Sequence, residues 1–226
     1  MNREAFVAAL ASIKLTLSDE QVEQFAAFEE ALYTVNEHTN LTRVKREECI
    51  YRHFIDSLLI HDLFEGVTEL LDIGTGPGFP SWPIACVRPD MQVTTVDSNG
   101  KMLAFLESQR LPNMTCVPMR MEEWRVEEAF DVVTGRALAP LAIQLELSAG
   151  ACAIGGRVIP MRTPADEDSL TGYEKPLGLE LVDIVRRNLP VINAPRLFPV
   201  YRKVKPTAAI FPRPWAEIKR RPLTPR

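Results

Sequence analysis

A glycine-rich loop directly after an apolar strand is the feature that most restricts the fold of this chain. The run 67–73 predicts a strand, and Gly74, Gly76 and Gly78 follow it with a G-x-G-x-G spacing. Glycine permits backbone conformations with positive φ and lets a ligand approach the main chain closely. A helix predicted over 80–87 then directs its N-terminus toward that ligand. The pattern predicts the first βα unit of an α/β fold, with a ligand site at the carboxyl end of the strand.

Short apolar runs alternate with helical patterns through the rest of the chain. Strands are predicted over 67–73, 92–97, 114–119, 130–134, 157–161, 180–189 and 197–204. Helices are predicted between the first five of them, over 80–87, 99–110 and 138–152. Strands that alternate with helices form parallel sheets with right-handed crossovers. We therefore expect an α/β fold with a doubly wound, mainly parallel, seven-stranded sheet whose last two strands form an antiparallel edge pair.

Helices precede the predicted sheet, and a basic tail follows it. Apolar residues at helical spacing predict helices over 4–13 and 19–37, the second started by a capping box at Ser18, and a third helix from Glu47. Prolines are frequent near the C-terminus, so we expect the last twenty residues to be extended or looped. The predicted parts are a helical cap over 1–65, an α/β domain over 66–205 and a basic, proline-rich tail over 206–226.

Charge is distributed unevenly along the chain. The formal net charge is −4, yet residues 186–226 hold eleven Lys or Arg and one acidic residue. A basic end on an acidic body is typical of local docking on a polyanion, and a solvated tail that binds nothing is the alternative.

Cysteines, histidines and apolar runs exclude several classes of protein. The four cysteines form no C-x-x-C pair and the three histidines lack a metal-type spacing, so we expect no metal site. Neither a signal peptide nor a membrane-spanning run is recognisable. The sequence favours a cytoplasmic, monomeric protein that does not bind membranes.

Residues at the ends of the later strands narrow the choice of ligand. Phe79 stands where a dinucleotide fingerprint has its third glycine, and the G-x-x-x-x-G-K-[ST] phosphate loop is absent. Asp97 ends the second strand, where a carboxylate can accept both ribose hydroxyls. The loop 120–122 would flank an adenine, and Arg136 ends the fourth strand at the same rim. Together these elements predict a site for S-adenosylmethionine.

Several segments resemble one family, the bacterial small-subunit (16S) rRNA guanine-N7 methyltransferases called RsmG or GidB. They are Asn40-Leu41-Thr42, His53-Phe54-Ile55-Asp56-Ser57-Leu58, the cofactor loop 71–80, Asp97-Ser98 with Lys101, and Arg136-Ala137 with Ala139 and Leu141. The resemblance covers roughly 36–162. It implies methyl transfer from S-adenosylmethionine to N7 of one guanine, with 16S rRNA or the 30S subunit as partner.

The resemblance also implies roles for individual residues. Gly74 and Phe79 would line the cofactor pocket, Met121 and Glu122 would border the adenine, and Arg136 would reach the cofactor or the target base. With the residues from the motif analysis, the expected cofactor set is Gly74, Gly76, Gly78, Phe79, Asp97, Met121, Glu122 and Arg136. Because guanine N7 carries a lone pair and no proton, we expect Arg136 to orient a reactant and no residue to act as general base.

Other residues are assigned to RNA or to structure. The cations expected to meet phosphates are Lys101, Arg196, Arg202, Lys203, Arg213, Lys219 and Arg220. Trp215 is interpreted as packing the tail onto the body, with base stacking as the alternative. His53 and Asp56 are interpreted as a structural link from the cap to the sheet.

Two departures from the family pattern keep other functions open. Arg162-Thr163 replaces a usual Lys-Gly, and the tail 211–218 departs from Y-P-R-[KR]-x-G-x-P. One alternative is a methyltransferase acting on another RNA position, a protein or a small molecule. A second is a non-catalytic cofactor fold that binds RNA.

Overall fold

A computed structural model describes residues 1–225, which form a sheet of seven strands. The strands are β1 (Glu69–Ile73), β2 (Gln92–Val96), β3 (Met114–Val117), β4 (Phe130–Arg136), β5 (Cys152–Met161), β6 (Leu179–Leu189) and β7 (Ala194–Lys203). Their order in the sheet is β3-β2-β1-β4-β5-β7-β6. The first five strands are parallel to one another, and β7 is antiparallel to both β5 and β6. The predicted α/β class and doubly wound, mainly parallel sheet are confirmed.

Helices flank the sheet and form most of the N-terminal region. They are α1 (Arg3–Ser12), α2 (Asp19–Thr39), α3 (Asp56–Leu58), α4 (Ser81–Val87), α5 (Gly100–Ser108), α6 (Leu141–Ala149), α7 (Glu174–Leu177) and α8 (Trp215–Arg220). Short 3₁₀ turns lie at Arg46–Glu48, His61–Phe64, Met121–Glu123 and Pro164–Ser169, and a π-helical turn lies at Ile50–Ile55. The helix expected from Glu47 is therefore a succession of short turns. The Ser18 capping box is present and starts α2.

The tail is not wholly extended or looped as the prolines predict. Residues 215–220 form α8, which Pro214 immediately precedes. Proline disrupts the interior of a helix but is tolerated at its start, so this position does not interrupt α8. Residue 226, the end of the predicted tail, lies outside the described residues.

Each face of the sheet packs against its own apolar cluster. Neighbouring residues of β1 point to opposite faces, so Leu70 joins one cluster and Leu71 the other. The first cluster also contains residues of α1, α2, α4 and α5, and Phe28 of α2 stacks on Trp82 of α4 at 4.1 Å between ring centroids. The cap helices thus share one core with the sheet. The predicted division at 65/66 and at 205/206 stays a prediction.

The helices of residues 1–225 include none that is long and apolar enough to cross a membrane.

Candidate functional site

The glycine loop leaves its main chain accessible at the carboxyl end of β1. Gly74 and Gly76 have φ values of +71° and +57°, a region that side chains with a Cβ rarely adopt. A Cβ on Gly76 would meet nothing within 4 Å, so this stretch of backbone faces open space. At Gly76 the loop offers main chain that a ligand can approach without meeting a side chain, whereas at Gly74 the side chain of Leu138 covers the corresponding direction.

A cavity of about 330 Å³ lies beside this loop, at the carboxyl ends of β1 to β4. Its lining residues are Ile73, Gly74, Val96, Asp97, Ser98, Met119, Arg120, Met121, Glu122, Ala137, Leu138, Leu147 and Trp215. We refer to it as the first cavity. The structure brings four predicted cofactor residues together in it: Gly74, Asp97, Met121 and Glu122.

Two carboxylates give the first cavity its polar character. Asp97 accepts the N–H of Gly76 through Oδ2 at 2.8 Å and the N–H of Asn99 through Oδ1 at 2.7 Å. A carboxylate has about four lone-pair directions, so two remain for ribose hydroxyls. Glu122 Oε1 is buried, lies 4.0 Å from Arg120 Nη1 and accepts no hydrogen bond from residues 1–225. An exocyclic amino group of a purine would supply that missing donor, so the cavity fits an adenosyl ligand.

A third carboxylate is buried beneath the loop. Asp72 in β1 is fully buried, and its Oδ2 accepts the N–H of Ser81 at 3.2 Å. Its Oδ1 receives no hydrogen bond from the described part of the chain. Burial raises the pKa of Asp72 to about 6, because the N–H of Ser81 and the nearby hydroxyls of Thr75 and Ser81 offset only part of the lost hydration. Asp72 is therefore mostly ionised at neutral pH, although its hydrogen bonds do not fully replace the hydration lost on burial.

This burial predicts a pH-dependent loss of stability. Because the folded-state pKa is raised above the unfolded value, the cost of Asp72 is absent below about pH 4, grows as pH rises and is complete above about pH 6. We expect Asp72→Asn to raise the free energy of unfolding at pH 7.5 by roughly 2 to 3 kcal/mol, and to match the wild type near pH 4. Urea unfolding between pH 4 and 8 measures this difference. Equal pH profiles for Asp72→Asn and the exposed control Asp168→Asn would contradict it.

A second cavity, of about 420 Å³, adjoins the first and shares Ala137 with it. The residues that line this second cavity are Val44, Arg52, His53, Asp56, Arg136, Ala137, Met161, Arg162, Thr163, Asp166 and Arg196. Four of them are arginines. They come from the cap, from the ends of β4 and β5 and from β7, so the cavity is assembled from distant parts of the chain.

Arg136 is fixed by the cap. Its Nη1 donates to the carbonyl of Arg52 at 2.9 Å and to Asp56 Oδ2 at 3.1 Å, and its Nη2 lies 3.2 Å from His53 Nδ1. Arg196 Nε donates to the other oxygen of Asp56 at 2.7 Å. The predicted link from cap to sheet through His53 and Asp56 is therefore present, and Arg136 is its sheet-side partner.

His53 is held neutral in this network. Burial, followed by the charge of Arg136, lowers the pKa of His53 to about 3. Since an arginine can only donate, Nδ1 accepts from Arg136 and Nε2 carries the proton that it donates to Thr42 Oγ1 at 2.7 Å. The imidazole also stacks on Phe79, 4.1 Å between ring centroids. His53 thus orients Arg136 and does not change charge at neutral pH.

Some predicted cofactor residues lie elsewhere than expected. Arg136 lines the second cavity and not the first, so it does not join the other predicted cofactor residues there. Phe79 is only 3% exposed and packs between His53 and Phe28, where it supports the loop from behind. Gly78 adopts φ +115° and a Cβ there would lie 2.7 Å from Leu106 Cδ1, so its role is close packing.

Two of the predicted RNA contacts are wrong. Lys203 is fully buried, and its Nζ donates to the carbonyls of Ala149 and Leu177 at 2.7 and 3.2 Å. Arg213 is 11% exposed and binds the buried Glu146 through Nε at 2.8 Å and Nη2 at 2.5 Å. Both cations are already satisfied inside the protein, so neither is free to meet a phosphate.

The remaining cations differ in accessibility. Arg196 is 17% exposed, pairs with Asp56 and lines the second cavity. Those that are exposed on the surface are Lys101, Arg202, Lys219 and Arg220.

The motif analysis did not identify two of the residues that line these cavities as site residues. Arg162 is 7% exposed, donates to Gln144 Oε1 at 2.7 Å and leaves its Nε without a partner within residues 1–225. Its replacement of the family's lysine was visible in the sequence, but its position beside Arg136 was not. Trp215 lines the first cavity as well as packing against the second apolar cluster.

Comparisons with known proteins agree with this architecture. The family model described as GidB, rRNA small subunit methyltransferase G, matches residues 21–186. Proteins named ribosomal RNA small subunit methyltransferase G from Lactobacillus delbrueckii subsp. bulgaricus and Levilactobacillus brevis are each 37% identical, over 99% of this chain and 100% and 99% of their own lengths. The structure of a Burkholderia thailandensis 1,6-didemethyltoxoflavin-N1-methyltransferase with bound S-adenosylhomocysteine is similar in fold. Its TM-score is 0.53 at 16% identity, over 91% of this chain and 92% of that one.

Proposed function

This chain belongs to the rRNA small subunit methyltransferase G (GidB) family, and from that membership we propose that it methylates N7 of a guanine in 16S rRNA. Membership of this family establishes the activity as methylation of small-subunit rRNA, with S-adenosylmethionine as the cofactor. The guanine, its N7 atom and the roles of the individual residues are the proposal. It is supported mainly by one observation, an arginine-lined cavity that shares a wall with the adenosyl-type cavity.

The first cavity holds the cofactor in this proposal. Asp97 accepts the ribose hydroxyls, Glu122 accepts from the adenine amino group, and the open main chain at Gly76 meets the amino acid portion. The cofactor supplies an electrophilic methyl group on a sulfonium. The chain contributes by holding that group at the boundary with the second cavity, near Ala137.

The second cavity holds the target base. A guanine presents two acceptors on one edge, N7 and O6, and arginine donors are the usual partners of that edge. Arg136 and Arg162 offer donors at the cavity wall, and Arg162 Nε has no partner among residues 1–225. With O6 or a phosphate bound by an arginine, N7 is free to face the methyl group.

N7 is the atom that best suits the groups in this cavity. Methylation of an amino group or of N1 requires loss of a proton, whereas the N7 lone pair is available without one. His53 has a pKa near 3 and is already engaged by Arg136, and Asp56 is bonded to two arginines. Asp166, the other carboxylate that lines this cavity, interacts with the charge of Arg162. The residues position the base, exclude water and place fixed positive charge near it, and these effects require no proton transfer.

Methyl transfer to purified small subunits and to naked 16S rRNA tests the proposal. The expected product is one 7-methylguanosine per rRNA, mapped by cleavage at the modified base. A methyl group on another base, or on another guanine atom, would contradict the N7 assignment. Activity on a small molecule with none on either RNA substrate would contradict the rRNA substrate. Because rRNA is the substrate, we place the protein in the cytoplasm; a monomeric state remains a prediction.

Exposed cations are proposed to bind the rRNA backbone. We expect a triple alanine variant of Arg202, Lys219 and Arg220 to weaken rRNA binding and to lower the slope of log affinity against log salt by about 2 to 3. Filter binding between 50 and 300 mM salt measures the slope. The control is alanine at Arg3, Lys14 and Arg110, which are also exposed and remove the same charge. Equal slopes for the two triple variants would contradict phosphate contact.

A further inference from the structure

Trp215 forms part of the wall of the first cavity. It lines this cavity together with Asp97, Met121, Glu122 and Leu147. The side chain is half-buried, so it is neither fully enclosed in the core nor free on the surface. Trp215 is the first residue of α8, which means that the C-terminal tail contributes to a pocket otherwise built by the sheet and its loops.

Strong contacts hold the tail in this place on both sides of Trp215. Before it, Arg213 binds the fully buried carboxylate of Glu146 with its backbone N–H at 3.0 Å and with two guanidinium nitrogens. Such bidentate, charge-assisted pairs are geometrically specific. After it, Ile218 is fully buried in the apolar cluster on the same face. The backbone of Trp215 is therefore fixed between two anchors.

The position of the ring matches what a purine needs. Met121 and Glu122 mark the part of the cavity where the adenine is expected, and Glu122 Oε1 there lacks a donor. A planar base gains most from an aromatic or apolar surface beside its face, and stacking of a base on an aromatic side chain contributes substantially to affinity. Trp215 and Leu147 supply such a surface on one side of the cavity.

We propose that Trp215 is a cofactor-binding residue that packs against the adenosine of S-adenosylmethionine, with the ion pair of Arg213 and Glu146 as its positioning device. The inference rests on the assignment of the first cavity to the cofactor. It gives the C-terminal tail a role in cofactor binding, in place of the phosphate contact expected for Arg213. It also gives α8 two separate roles, with Trp215 for the cofactor and the exposed Lys219 and Arg220 for rRNA.

Calorimetry and intrinsic fluorescence with S-adenosylhomocysteine test the inference on the full-length protein. The chain has three tryptophans: Trp82 is buried against Phe28, Trp124 is half-buried outside the first cavity, and Trp215 lines it. We expect Trp215→Phe to remove most of the ligand-induced change in fluorescence, while its Kd stays within about threefold of the wild type. The matched control, Trp124→Phe, should retain the fluorescence change. Trp215→Ala should raise the Kd about tenfold.

The results of these measurements separate a failure of the Trp215 role from a failure of the cofactor site as a whole. A folded Trp215→Ala variant with a wild-type Kd, or a fluorescence change that persists in Trp215→Phe, would overturn the role of Trp215 alone. A wild-type protein that does not bind S-adenosylhomocysteine would overturn the cofactor site and the inference together. Arg213→Lys, which keeps the charge but loses the bidentate geometry, should weaken binding in the same direction and reduce the fluorescence response. An unchanged response in Arg213→Lys would contradict the positioning role of the ion pair.

Discussion

Replacing Arg136 with alanine is expected to lower kcat/KM for methyl transfer to the small subunit by at least about 100-fold. Arg136 lines the second cavity and is held by the carbonyl of Arg52, by Asp56 and by His53, so it is preorganised without a substrate. A guanidinium fixed in this way can bind a base oxygen or a phosphate without reorganisation. Single-turnover kinetics with saturating S-adenosylmethionine measure the loss.

The Arg136→Ala substitution should leave cofactor binding largely unchanged. Since Arg136 does not line the first cavity, the Kd for S-adenosylhomocysteine is expected to change less than about threefold. The substitution also removes one of the two arginines bonded to the buried Asp56 and leaves Arg196 as its partner, so the free energy of unfolding should fall and urea unfolding must accompany the kinetics. Arg136→Lys keeps the charge, and Arg110→Ala removes an exposed arginine as a control. A folded Arg136→Ala enzyme with wild-type kcat/KM would contradict the role.

Replacing Asp97 with asparagine is expected to raise the Kd for S-adenosylhomocysteine by roughly 10- to 100-fold. The Asp97 carboxylate already accepts the N–H groups of Gly76 and Asn99, and both oxygens are needed to hold the loop and still bind a ribose. An asparagine has one oxygen and one donor group, so it loses at least one charge-assisted bond, worth about 1.5–3 kcal/mol. Isothermal titration calorimetry measures the change directly.

The Asp97→Asn substitution should affect the two substrates of the reaction differently. Because Asp97 lies in the first cavity only, KM for the cofactor should rise while KM for the rRNA stays near its wild-type value. Glu107→Gln provides the control, since Glu107 is an exposed carboxylate of α5, the helix that follows Asp97, and pairs with Arg110. Unchanged cofactor affinity in Asp97→Asn would place the ribose elsewhere.

The sequence predicts the fold and the first cavity well because their signals are local. An apolar strand, a glycine spacing and an acidic residue at the next strand end lie within about thirty residues of one another. Parallel strands bring their carboxyl ends to one edge of the sheet, so Gly74 and Asp97 had to meet there once the fold was recognised. The strand and helix order follows from hydrophobic periodicity for the same reason.

Local sequence patterns could not predict the second cavity or the burial of Lys203 and Arg213, because both depend on contacts between distant parts of the chain. Arg136 contacts residues about eighty positions earlier, and Lys203 bonds to a carbonyl fifty-four positions earlier. Only the packing of the tail and of α6 shows that Lys203 and Arg213 are satisfied internally. One signal was present: Tyr201 and Lys203 alternate with Arg202 along β7, which places both on the buried face of the strand.

The charge asymmetry of the sequence therefore overstated the number of cations available to RNA. Three of the seven predicted contacts, Arg196, Lys203 and Arg213, are paired or enclosed within the protein. Arg196 supports the second cavity, Lys203 joins the end of β7 to the carbonyls of Ala149 and Leu177, and Arg213 anchors the tail. Local charge counts cannot distinguish a cation that anchors a tail from one that binds a phosphate, because the distinction depends on distant partners such as Glu146.

A structure of this protein with S-adenosylhomocysteine and guanosine monophosphate would test the central claim most directly. We expect the adenosine in the first cavity with its ribose on Asp97, and the guanine in the second cavity with N7 facing the sulfur near Ala137. The guanine O6 or the phosphate should then accept from Arg136 or Arg162. Finding the adenosine outside the first cavity, or the guanine away from the arginine-lined cavity, would contradict the assignment of the two sites.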